Sequence, residues 1–262
     1  MSDQCILSSL AITYSSVLGG DFIRYFAGAG GIYLLVNTLF SSRLRARKIR
    51  RASPPKGQIR REILASLRTV AIFGANGTVI VMGAEAGILS VYTDVADYGW
   101  GYLALSAVLL ILFHDTWFYW THRILHYPPV FRRLHRLHHR SHNPTPFTSY
   151  SFDTGEAIIN AIYLPLALLV IPAHPLALFV FVTHMMLRNA MGHSGFELFP
   201  ANKQGKPLFD WMTTVTHHDL HHAHAGYNIG LYFTWWDRLM GTEHPAYQAE
   251  FARVARPSAS PQ

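Results

Sequence analysis

Three short stretches concentrate histidine in this 262-residue chain: HRILH at 122–126, HRLHH at 135–139 and HHDLHH at 217–222. On a helix, residues spaced i, i+3 and i+4 share a face. His122 and His126 thus form one pair of neighbouring imidazoles. His135, His138 and His139 form a triplet, and His218, His221 and His222 repeat its spacing. Imidazole binds first-row transition metals well. Eight such side chains exceed what one ion can use, so the pattern calls for two metals held among several helices.

Other polar residues divide into candidates and bystanders. His193 follows an apolar run, with Asn189 one turn earlier on the same face. His114 lies eight residues before His122, about 12 Å along a helix, too far to share an ion and better placed to line a cavity. Asp115 could orient a ligand from behind, by way of Tyr119. Asp219, inside the third box, and Asp153 and Glu156, after the second, could accept N–H bonds from imidazoles. His217 opens a rival register, 217/221/224, but 218/221/222 copies the second box; His217 and His224 are then channel or supporting residues. His184 falls on the face opposite His193, and His142, His174 and His244 adjoin prolines or loops.

The elements that must position these residues read as membrane helices. Half of the residues are hydrophobic and only 14% are charged, against about a quarter in ordinary soluble domains. The net charge of +7 is concentrated in a loop, 41–61, with nine Arg and Lys and no acid until after Arg61. Flanked by apolar stretches, it reads as a cytoplasmic loop rather than a nucleic-acid arm. Apolar spans are expected at about 22–40, 69–89 and 100–120, followed by a hairpin of two short spans over 157–191, broken by PAHP at 172–175. Counting crossings puts all the boxes on the cytoplasmic side. The expected fold is therefore all-α: multi-pass membrane helices, three spans plus the hairpin, with a cytoplasmic helical cap holding a dimetal histidine site. Residues 1–99 form an N-terminal transmembrane anchor region, 100–245 the domain that carries the histidine boxes, and 246–262, ending in an Ala-, Ser- and Pro-rich stretch, a flexible tail. A single cysteine, Cys5, excludes an internal disulfide and a Cys-ligated iron–sulfur cluster. MSDQC lacks the basic start of a signal peptide, and SASPQ lacks a retrieval signal, favouring a bacterial inner membrane over endoplasmic reticulum.

The region from about 112 to 245 resembles the fatty acid hydroxylase/sterol desaturase superfamily of integral-membrane di-iron enzymes. The resemblance is carried in order by HDTWFYWTHRILH, RLHHRSHNPTPFTSYSF, NAMGHSGFE, HHDLHHAHAGYNIG and YFTWWDRLMGTEHP. It implies His122, His126, His135, His138, His139, His193, His218, His221 and His222 as metal ligands. It places Asn189 where related desaturases have an Asn that holds a metal-bound water. It further implies two iron ions, O2 as co-substrate, and a lipid substrate that is hydroxylated or desaturated. A fused redox module is not recognisable. Electrons are expected from a separate cytochrome b5-, ferredoxin- or flavin-type donor, docking on the basic loop. Two departures stand out: Asp153–Thr154 replaces a His-Pro pair after SYSF, and GYNIG keeps only part of an Asn-x-Asn-x-Gly motif. A membrane metal transporter or sensor would place its ligands inside the spans. A zinc hydrolase would need a carboxylate base, for which Asp219 is the in-box candidate.

Overall fold

The computed structural model describes residues 3–255. Every regular element among them is helical. Helix α1 (Asp3–Tyr25) continues through wide π turns at Phe26–Gly30 and Tyr33–Leu39. The expected span at 22–40 is thus the distal, irregular part of a longer helix. The glycine-rich run there serves packing: a Cβ on Gly28 would come within 2.7 Å of Met186. Helix α2 (Gln58–Glu85) begins well before the expected 69, because Pro54 and Pro55 stop the preceding chain and Gly57 turns it at φ 78°. Helix α3 (Gly99–Leu125) carries the chain into the first histidine box.

Among the described residues two helices, α2 and α3, are long and apolar enough to cross a membrane. The 157–191 region folds as α6 (Thr154–Leu168) and α7 (Pro175–Gly192), a pair of shorter helices broken at PAHP. Pro175 opens α7 at a position where its missing N–H costs nothing, and His174 caps the backbone of Leu176. Large apolar side chains on the outer faces of these helices, including Ile23, Val79, Ile124 and Phe179, remain exposed. Inner residues such as Tyr25, Val70, Leu110, Phe181 and Met186 are buried.

The cap consists of α4 (Pro128–Leu134), the single-turn α5 (Arg136–His139), a 3-10 turn at Pro146–Tyr150, α8 (Val215–Ala223), α9 (Trp235–Leu239) and α10 (Tyr247–Ala255). Two expectations are corrected here. The stretch 247–255 is no loose tail: α10 packs on α8 through Tyr247 and Phe251, both fully buried. The remaining end of the chain, SASPQ included, lies outside the described residues. The N-terminal hundred residues are also more than an anchor. Tyr25 donates to the carbonyl of Phe147, and Arg50 clasps Asp219. Buried Glu62 collects Gln58, Ser141, Thr145 and Thr148, tying α2 to the loop after the second box.

Candidate metal centre

Nine imidazoles converge between α3, the cap and the end of α7, in two groups whose ligating atoms lie within 4.8 Å of one another. The first group is His122, His126, His135, His139 and His221; the second is His138, His193, His218 and His222. These are the nine histidines the sequence singled out. His126 and His193 sit just past the ends of α3 and α7, where the chain is free to turn. The second box is not one helix. His135 breaks it at φ −141°, between α4 and α5.

Each triplet is divided between the groups. His135 and His139 enter the first while His138 enters the second; His218 and His222 enter the second while His221 enters the first. In the third box, on α8, helix geometry accounts for this. Positions i and i+4 differ by about 40° in direction, whereas i+3 and i+4 differ by about 100°, so an HxxHH helix can serve two points at once.

In the first group, Nε2 atoms form a closed circuit. Separations are 3.0 Å for His122–His135, 3.2 Å for His122–His126, and 3.1 Å for His126–His221, His221–His139 and His139–His135. In the second, His193 Nε2 lies 2.9 Å from that of His218 and 3.1 Å from that of His222. Two metal–nitrogen bonds of about 2.1 Å at right angles put their nitrogens about 3.0 Å apart.

The other ring nitrogens decide what these contacts are. His122 Nδ1 donates to Ile229 O, His221 Nδ1 to Tyr227 O and His193 Nδ1 to Asn189 O, each at 2.7 Å. A carbonyl only accepts, so these Nδ1 atoms carry the proton and the inward Nε2 atoms present lone pairs. Burial acts in the same direction. It holds His193 and His221 down to about 4 and the other cap imidazoles of the site well below the usual histidine range. Converging lone pairs in a dry site repel one another unless a cation lies between them. The donor set therefore fits two metal ions.

A further layer aims the ligands. Glu156 Oε2 lies 2.9 Å from His135 Nδ1, off the axis of an ideal N–H···O bond, and both side chains are buried. Asp237 accepts from the amides of Ile229 and Gly230 and from Thr242 Oγ1, fixing the carbonyl that meets His122. Asp115 accepts from the amides of Tyr232 and Phe233 and from Trp235 Nε1. It steadies the same loop and does not reach a ligand through Tyr119, whose hydroxyl meets Thr242.

Other expected residues lie elsewhere. Asp219 presents both oxygens to Arg50 Nε at 2.9 and 3.0 Å, while Arg50 also donates to its carbonyl; it supports α8 from outside and touches no imidazole. Asp153 accepts from the amide of Leu137. Asn189 donates its amide to Ser149 O and lends its own carbonyl to His193. His217 is buried 3.5 Å from Asp237, His224 stacks on His244 away from the site, and His114 bonds Tyr232 OH. Sequence reasoning missed the carbonyl acceptors and Asp237. Backbone carbonyls leave no mark in a sequence; Asp237, shortly after the third box, was the available signal.

Fold and site together define a helical protein with long apolar helices and two adjoining histidine clusters, each able to hold a metal ion, under a helical cap. A sequence model of the fatty acid hydroxylase family matches residues 107–242, and the chain belongs to the fatty acid hydroxylase/sterol desaturase superfamily. Among curated relatives, a Delta(7)-sterol 5(6)-desaturase of Gibberella zeae is 29% identical over 188 residues, covering 71% of this chain and 56% of the relative. Lathosterol oxidase of Mus musculus is 30% identical over 197 residues, 73% of this chain and 63% of the relative. Methylsterol monooxygenase 1 of Rattus norvegicus is 28% identical over 163 residues, 61% and 54% respectively. The chain thus spans less than two thirds of the length of these relatives. No solved structure matches it significantly.

Proposed function

We propose that the chain is a membrane-bound, O2-dependent di-iron oxidoreductase that hydroxylates or desaturates a lipid. The observation that carries this reading is the division of nine imidazoles, eight of them buried and His126 half-buried, into groups of five and four whose ligating nitrogens converge. The relatives' names, sterol desaturase, lathosterol oxidase and methylsterol monooxygenase, supply the reaction class.

Iron bound there would supply O2 activation, which side chains alone cannot provide. Hydroxylation consumes the substrate C–H, O2, two electrons and two protons and yields an alcohol and water. Desaturation consumes the same co-reactants and yields an alkene and two waters. The chain's own residues do the rest. Carbonyls of Tyr227, Ile229 and Asn189 keep three imidazoles in the ligating tautomer, and Glu156 backs a fourth. Phe118 and Phe152 pack on His122 and His138 at ring distances of 4.7 and 5.4 Å and exclude water. A hydrolytic role for Asp219 loses its support, because Arg50 occupies that carboxylate.

Electrons would arrive from a separate, acidic donor. A basin of about 1320 Å³ is lined by Arg45, Lys48, Arg51, Lys56, Arg60 and Arg253, and its wall includes Ser194 and Gly195, next to His193. The Arg50–Asp219 pair supports placing the basic loop and the histidine site on one side of the spans, and the positive-inside rule favours the cytoplasm as that side. Neutralising Arg45, Lys48 and Arg51 together should lower donor-coupled turnover and flatten its salt dependence; unchanged salt dependence contradicts the docking site. The reaction class is tested by feeding lipids under 18O2 and analysing products by mass spectrometry. An O2-dependent alcohol or alkene supports it, whereas product formation undiminished without O2 refutes it.

A further inference from the structure

Arg188, on α7, pairs with no carboxylate among the described residues. Its Nη2 donates to Thr213 O at 2.9 Å, to Thr213 Oγ1 at 3.1 Å and to Tyr232 O at 3.3 Å. The guanidinium lies over Phe199, 5.2 Å from the ring centre. Nε is buried and has no hydrogen-bond partner, a costly state for a charged donor. The acids whose charge reaches Arg188 are Asp115 and Glu197, and both are spent elsewhere. Glu197 accepts the amides of Phe199 and Thr216, and Asp115 holds the loop at Tyr232.

Beside it lies a cavity of about 10 Å³ whose lining includes Arg188, Asn189, Gly192, Thr213 and His218. That is room for one guest about the size of a water molecule. The cavity therefore joins the unmet guanidinium to a ligand of the four-imidazole group. Charge decides what the guest is. The five-imidazole group has Glu156 against His135. Among the described residues no carboxylate faces an imidazole of the four-imidazole group, where His193 meets a carbonyl instead. A divalent ion there, together with Arg188, would put three positive charges in one dry corner with no facing counter-charge. Like charges in a low dielectric repel strongly. A water would relieve only the unmet N–H, whereas an anion relieves the charge as well.

We propose that this cavity is a site for one monatomic anion of chloride's kind, accepting from Arg188 Nε and lying against His218. The site stands on the guanidinium and the cavity; its coupling to iron rests on the di-iron reading above. That coupling is reciprocal: the anion tightens metal at the four-imidazole group, and metal there tightens the anion. The five-imidazole group lines no part of the cavity and is unaffected.

The test uses the full chain in detergent, loaded with diamagnetic zinc, and reads chloride binding from 35Cl NMR line broadening. The broadening should saturate and be displaced by bromide but not by sulfate, which is too large for the cavity; the exposed basic loop has the opposite preference. Arg188→Gln should weaken chloride at least about tenfold. That change also removes bonds to Thr213 and Tyr232, so Gly192→Ala is the second variant. Its methyl would meet His218 at 3.6 Å, an ordinary contact, at a helical position without positive φ. It fills the cavity, breaks no hydrogen bond and should abolish saturable broadening without lowering the melting temperature. Absence of saturable broadening leaves an ordered water and overturns the proposal. Displacement by sulfate, or binding that survives either substitution, overturns it too; survival in Arg188→Gln would assign the anion to the metal alone. Ferrous iron titrated in chloride and in sulfate at equal ionic strength should bind one centre several-fold more tightly in chloride. Equal affinities in the two salts sink the coupling and leave the site. A chain that takes up no metal, yet loses saturable chloride binding on Arg188→Gln and Gly192→Ala, sinks the di-iron reading and leaves the site standing.

Discussion

Replacing Glu156 with glutamine removes the carboxylate that, among the described residues, faces a candidate ligand imidazole. Glu156 Oε2 and His135 Nδ1 are 2.9 Å apart and 2% and 1% exposed, so water does not screen their interaction. The carboxylate makes His135 a more basic ligand and holds its ring toward the five-imidazole group. Loss of such a partner typically lowers metal affinity 10–100-fold, about 1.4–2.7 kcal/mol. The change should be felt at one centre. The four-imidazole group takes its support from Asn189 and shares no residue with Glu156. Titration with ferrous iron, followed by Mössbauer spectroscopy, should show one centre filling as in the unmodified protein and the other requiring 10–100-fold more iron. Asp153→Asn is the control. It weakens the contact to the Leu137 amide and should lower the melting temperature without separating the two affinities. Equal weakening of both centres by Glu156→Gln, or none, would refute the reasoning. The close approach can be tested as well: Gly155→Val would drive its Cβ to about 2.5 Å from Leu134 and should mimic the loss of Glu156.

Other outcomes follow from the same geometry. Asp219→Asn should cost about 2 kcal/mol of stability, below the roughly 3–5 of a fully buried pair because Arg50 is 26% exposed, and should leave the pH dependence of turnover unchanged; a lost basic limb would restore Asp219 as a proton acceptor. Asp115→Ala strips three donors of their acceptor, and should weaken iron at the five-imidazole centre through the Ile229 carbonyl; iron binding equal to the unmodified protein contradicts that route. Burial lowers His193 and His221 to about 4 in the fold, against about 6.5 unfolded. The unfolded chain then binds more protons between those values, so their contribution to stability is complete above pH 6.5 and is lost as pH falls toward 4. Melting of metal-free protein at pH 7.5 and pH 5 should differ accordingly, and a pH-independent midpoint would contradict the burial of neutral imidazoles.

Much of the candidate site was legible because imidazole spacing is a direct record of helix geometry. All nine histidines named from the sequence are brought together, and the i+4 partners of each triplet enter the same group. Their allocation was not legible. It depends on the break at His135 and on how α8 is turned against α3, which are packing outcomes. Asp219 was misread because its pairing partner, Arg50, lies 169 residues away. Composition reported the apolar helices, but not where α1 and α2 begin, since polar and basic residues such as Arg60, Arg61 and Arg68 continue α2 toward the cap. Residues 247–255 look loose by composition, yet Tyr247, Phe251 and Val254 recur at helical spacing and are buried.

Metal content, measured on protein purified in detergent without chelators, tests the central claim most directly. The structure and the family together predict about two irons per chain, falling toward one when a ligand of a single group, His193 or His126, is replaced. Two zincs that iron cannot displace, or loading that is indifferent to both substitutions, would contradict the di-iron account.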